Sequence, residues 1–179
     1  MRKGEILNLT WDRIDLKSRM IRLKAEDVKE KLPKKIPISC TLKLVLDALP
    51  RSIHDHHVFL FKGKPVSDIR TALKAGCDAA RVPYGRDTEN GFTFHDLRHT
   101  FQVNARRAGV DKNVRMVIMG HSDGNDMNLH YDTVDETDLI DAIDRIERYV
   151  DQLFTKTENV DQSVDQGTQA KKQVNKKVI

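Results

Sequence analysis

Cysteine is scarce in this 179-residue chain, and the two present, Cys40 and Cys77, lack Cys-x-x-Cys spacing. Their scarcity argues against a disulfide framework and against a structural zinc site, leaving two reduced thiols. No apolar run nears the roughly 20 residues needed to cross a bilayer, and the N-terminus lacks the charged-then-apolar order of a signal peptide. A cytoplasmic protein is therefore expected. Internal repeats are absent, and so is a dominant charge sign: 31 Lys and Arg stand against 27 Asp and Glu, a net +4 in a chain that is 32% charged. So small a surplus is compatible with a polyanionic partner but does not identify one.

The distribution of charge says more than its sum. Basic residues crowd the front, from Arg2 and Lys3 through Lys34 and Lys35, and recur from Arg98 to Arg115, whereas acidic residues dominate after His121. The length favours one domain with a core of its own. Ile6, Leu7 and Leu9 suit the end of a helix, and Trp11 opens a sheet region. Alternation around Lys17-Ser18-Arg19 predicts a hairpin of strands 13–16 and 20–23, with a third strand at 35–38 that Pro37 confines to an edge. Helical spacing follows from a Ser39 or Thr41 cap to Pro50, then a short strand at 58–61 and a helix over 68–82. Further helices are predicted at 95–107, closed by Gly109, at 112–119, closed by Gly120, and at 136–154. The fold class is thus α+β: a mostly helical domain over 1–154 with a small three-stranded antiparallel sheet near the N-terminus. From Thr155 to Ile179 the composition is polar, and a disordered tail is expected.

Five residues spread along the chain suit one chemistry: Arg2, His95 and Arg98 in Phe94-His95-Asp96-Leu97-Arg98-His99-Thr100, His121 after Gly120, and Tyr131. Two guanidinium groups and two imidazoles are suited to holding a phosphodiester and neutralising its non-bridging oxygens, while a phenol oxygen attacks phosphorus. Such a set requires no metal and no cofactor. Tyr84 falls in a loop and Tyr149 on an apolar helix face, so neither competes well as nucleophile. Taken singly, each residue has an ordinary reading: surface arginines, a helix-start histidine, a post-helix cap. Leu97 is expected in the core and His99 to be structural.

The order and surroundings of these residues resemble the tyrosine recombinase, or phage integrase, family, beginning with Arg2-Lys3-Gly4-Glu5-Ile6-Leu7-Asn8-Leu9-Thr10-Trp11 and running to about Tyr149. The resemblance implies a catalytic domain that lacks its first helices and the N-terminal DNA-binding domain. It also implies that double-stranded DNA is the partner, cut through a 3′-phosphotyrosyl link on Tyr131. By the same resemblance His95 accepts the tyrosine proton, Glu5 braces Arg2, and Lys29, with Lys31 as its rival, protonates the leaving 5′ oxygen. The usual Thr-Lys pair is here Val28-Lys29, and the stretch from His121 to Tyr131 is one residue longer than the common spacing. The helix at 136–154, with its stripe of Leu139, Ile140, Ile143, Ile146, Val150 and Leu153, is the segment recombinases pass to a neighbouring subunit; its ordinary reading is docking on its own domain.

Two rival functions remain open at this point. A catalytically incompetent fragment would bind DNA weakly without turning it over. A His-rich metal hydrolase built on His54, His56, His57 and Asp55 would require metal, and no further ligands are spaced to close such a site.

Overall fold

The computed structural model describes residues 1–29, 31–120 and 134–174, with side chains of the last helix described as far as Thr155. Helix α1 (Lys3–Leu7) leads through a 3-10 turn at Trp11–Arg13 into β1 (Ile14–Asp15). β2 (Met20–Leu23) and β3 (Lys34–Pro37) complete an antiparallel sheet of order β1-β2-β3. Register sets Ile21 opposite Ile36 and Leu23 opposite Lys34. Pro37 lies in the edge strand, where its missing N–H breaks no ladder.

α2 (Cys40–Ala48) starts where the Ser39 hydroxyl accepts from the Leu42 N–H at 3.2 Å. β4 (Leu60–Phe61) and β5 (Lys64–Pro65) form a hairpin that the sequence reading, with a single strand at 58–61, did not contain. Its two-residue turn needs positive φ at both positions, 51° at Lys62 and 76° at Gly63, and a lysine there gives no turn signal. α3 (Arg70–Ala79) is shorter than the predicted 68–82 and exposed on most of its surface.

α4 (Phe94–Arg107) begins at a capping box in which Asp96 accepts from the Thr93 N–H at 2.7 Å and from its hydroxyl at 2.6 Å. α5 (Lys112–Met119) is capped by Asp111, which accepts from the Asn113 N–H at 2.7 Å, and ends at Gly120 with φ 61°. α6 starts at Glu136 as predicted but continues to Val174. Residues 155–174 hold no proline and one glycine, so no strong helix breaker interrupts this stretch.

Two apolar clusters flank the sheet. One joins Leu9, Ile21, Leu23, Val28, Ile36 and Ile38 to Leu46 of α2 and to Val58. The other sets Met20 against Ala105 of α4, Val117 and Ile118 of α5, and Leu139, Ala142 and Ile146 of α6. Leu97 is a correction to the sequence reading: it stands on the open face of α4, 47% exposed, not in the core. Trp11 stands in the 3-10 turn that runs into β1, with the Arg51 guanidinium 4.3 Å above its ring.

α6 docks on its own domain through polar as well as apolar contacts. Glu136 takes Arg22 at 2.8 Å and Lys35 at 3.1 Å, and Asp144 takes Arg19 at 2.5 Å. Glu147 accepts the N–H groups of Cys40 at 3.0 Å and Thr41 at 2.7 Å, satisfying donors at the start of α2. Because Leu139 is almost wholly enclosed, Leu139→Ala should lower stability by about 2–5 kcal/mol in urea denaturation. Truncation after Val134 should abolish the cooperative transition followed by circular dichroism, since it strips one wall from the second cluster.

Candidate active site

A cleft of about 720 Å³ opens between α1, α3 and the first turns of α4. Arg2, His95 and Arg98 all line it, so three residues selected from sequence meet on one surface. Arg2 is there because it caps the short α1, with extended backbone at φ −82° and ψ 158°. His95 and Arg98 are there because the capping box fixes where α4 starts, and a spacing of three returns both to one helix face. His95 is exposed, with its ring 4.7 Å from that of His99 in an edge-on contact.

Arg98 is buried, and its guanidinium donates to the Met119 carbonyl at the end of α5. That bond ties the cleft to the residue before Gly120. His121 and Tyr131, both expected at the site, lie outside the described residues. Lys29 sits exposed in the turn region ahead of β3 and Lys31 follows with φ 55°; neither lines the cleft.

Glu5 is buried under the cleft floor and gathers several donors. Its Oε2 accepts the Arg2 backbone N–H at 2.8 Å, and its Oε1 lies 3.5 Å from the Arg2 guanidinium. The strongest partner is one that sequence reading missed. Lys34 Nζ donates to Glu5 Oε1 at 2.7 Å, and both side chains are nearly solvent-free, at 3% and 4% exposure. The predicted strand begins at 35, which leaves Lys34 in the charged turn, whereas β3 includes Lys34 and period two sets it on the same face as Ile36 and Ile38.

Burial pushes the Glu5 carboxyl up, but the Lys34 hydrogen bond, the Arg2 N–H and the Lys34 charge outweigh it and hold the group below its ordinary 4.5. Arg98, Glu5, Lys34 and Arg2 also all act on the Met1 amino group, which burial first and then Arg98 lower to about 6. These charges therefore crowd one small volume.

The rim adds cations that the sequence did not single out. Lys3, Arg70 and Arg86 line the cleft, with Asp68 bonded to Arg70 at 2.5 Å and to Lys3 at 3.4 Å. Apolar walls come from Ile6, Ile69, Leu73, Phe94, Leu97 and Phe101. A concave, cation-rich site with apolar walls is built for a large anion, because low-dielectric walls focus its field.

Among known protein families, residues 1–137 match the phage integrase family. The chain belongs to that family. No curated protein and no solved structure matches the chain. Membership of that family supports a role in DNA recombination and integration. Among the described residues no helix is long and apolar enough to cross a membrane. The histidine cluster weighed as a metal site shows His57 Nδ1 2.7 Å from Asp55 Oδ1. The described acidic and thiol side chains that do converge, Cys40, Asp144 and Glu147, lie away from the integrase cleft, where Arg19 and the start of α2 engage the two carboxylates.

Glu5→Gln should destabilise the domain by about 3–5 kcal/mol, because it leaves the Lys34 ammonium buried without its counter-charge. The depressed Glu5 value sets the sign with pH. Its contribution is complete above the unfolded-state carboxyl value near 4.5 and is lost as pH falls through the lower folded value, so the wild-type urea midpoint should fall more steeply below about pH 4.5 than that of Glu5→Gln.

Proposed function

We propose that this chain is the catalytic domain of a tyrosine recombinase that breaks and rejoins double-stranded DNA through a 3′-phosphotyrosyl intermediate on Tyr131. The observation that supports it is the meeting of Arg2, His95 and Arg98 in one cleft, where Arg98 also donates to the Met119 carbonyl at the end of α5. Arg2 and Arg98 take the non-bridging oxygens of the scissile phosphate and stabilise charge in the transition state. Tyr131 Oη forms the new bond to phosphorus as the P–O5′ bond breaks. Its proton passes to His95, whose imidazole suits transfer near neutral pH, while His121 adds a hydrogen bond to the phosphate.

Protonation of the departing 5′ oxygen falls to Lys29, with Lys31 as its alternative. Both stand exposed outside the cleft, and bound DNA would have to bring one of them to the leaving group. Re-ligation runs the same steps with a 5′-hydroxyl of a partner strand, so the bond energy is kept in the phosphotyrosine and no nucleotide cofactor is spent. Self-association on DNA through residues 136–154 belongs to this reading, as the means by which cleavage is confined to the assembled complex.

A randomised pool of nicked duplexes tests the proposal, since a cut strand then dissociates and traps the covalent adduct. Wild-type chain should form an adduct that maps to Tyr131, and Tyr131→Phe should form none. An adduct on Tyr84 or Tyr149 would overturn the assignment. Arg98→Ala should slow adduct formation on the order of a hundredfold or more, the usual loss for one electrostatic donor. The competing reading, a DNA binder without turnover, predicts no adduct and a binding constant that falls steeply with salt.

A further inference from the structure

We propose that Lys34 is a positioning residue of this site, holding Arg2 through Glu5 and seating Gly120, the residue before His121, through its own stem. The inference rests on the recombinase reading for its functional consequence. Its physical basis does not.

Lys34 occupies a strand position that pattern and packing would give to an apolar side chain. It faces the same way as Ile36 and Ile38 and lies opposite Leu23, and lysine is among the residues least often buried there. A buried ion pair is weak evidence for stability, because well-packed apolar residues of similar volume often do as well or better. The pair is therefore better explained by what it orients. Lys34 holds Glu5 Oε1 at 2.7 Å, which leaves Glu5 Oε2 directed at the Arg2 N–H at 2.8 Å. Arg2 has a long side chain, one third exposed at the cleft, and the fixed carboxylate 3.5 Å away limits its rotamers. Lys34 itself does not line the cleft, so it acts on a bound phosphate only through others.

The second contact is steric. A Cβ on Gly120 would collide with Lys34 Cε, with Nζ 2.9 Å and Cδ 3.0 Å away. With φ at 61°, Gly120 is already in the region that disfavours side chains, and the lysine stem removes the remaining space. One side chain thus touches both halves of the site, the Arg2 end by charge and the α5 end by packing.

The test compares wild type, Lys34→Met and the double variant Glu5→Gln with Lys34→Met, all in the full chain. Three readouts are followed: the Arg2 Nε–Hε signal and the Glu5 carboxyl titration by NMR, and single-turnover adduct formation on nicked duplexes. Lys34→Met should raise the Glu5 titration and broaden the Arg2 signal. It should also slow adduct formation roughly tenfold to a hundredfold, the scale expected for a misplaced group, while DNA affinity stays unchanged. The double variant removes both buried charges, so it should recover the wild-type urea midpoint yet remain slow. Recovery of the rate in the double variant, or an unchanged Arg2 signal in Lys34→Met, would overturn the proposal and leave the pair purely structural. Should Lys34→Met fail to fold, the double variant carries the comparison alone. Wild type that forms no adduct would defeat the recombinase reading instead, and the Arg2 signal would then decide the role of Lys34 by itself.

Discussion

The buried pair between Lys34 of β3 and Glu5 of α1 is the constraint around which the site is arranged. A five-residue helix has too few internal bonds to hold its own position, and α1 is fixed instead by what its residues reach: Leu7 is buried, and Glu5 is anchored to the sheet. Taking two charges out of water is expensive, so the geometry between them must be tight, and 2.7 Å with further donors on the carboxylate meets that condition. Neighbouring residues on the same strand divide the work between faces. Lys34 reaches Glu5 and the end of α5, whereas Lys35 reaches Glu136 at the start of α6. One short strand therefore holds the residues on either side of the span that carries His121 and Tyr131.

The cleft combines two properties that oppose each other elsewhere on the surface. Its cations are many, yet its walls are largely apolar, and Leu97, which helix periodicity sends toward the core, stands beside His95 and Arg98 at its edge. Asp68 offsets part of the charge at the outer rim, on Lys3 and Arg70, as Glu5 does on Arg2 further in.

Legibility from sequence followed the locality of the signal. α5 was readable to the residue and α4 within one residue, because a glycine free to take positive φ closes each of them, Gly120 and Gly109. Arg2, His95 and Arg98 were legible as a set because their types and order suit one chemistry. Lys34 was not, since its role depends on a partner 29 positions away and on burial that no local pattern records. The β4–β5 hairpin escaped for a different reason: lysine at the first turn position adopts φ 51° without the asparagine or glycine that signals such a turn. Lys3, Arg70 and Arg86 looked like ordinary surface charge until the fold gathered them around one opening.

The docking of α6 bears on how such a site is controlled. The stripe that periodicity predicted is buried in cis at Leu139 and Ile146, with Ile140, Ile143 and Val150 packed beside them, and the polar contacts of Glu136, Asp144 and Glu147 match it along the same helix. These contacts do not by themselves forbid exchange between copies, because a swapped helix makes the same bonds to an identical surface and changes only which chain supplies it. What exchange lacks in the free chain is a reason to offset the translational and rotational freedom it costs, several kcal/mol or more. DNA that aligns two copies would supply that reason by raising their effective concentration, with no new contact needed. Since Glu136 lies five residues after Tyr131, whichever copy receives the helix also receives the end of the tyrosine segment.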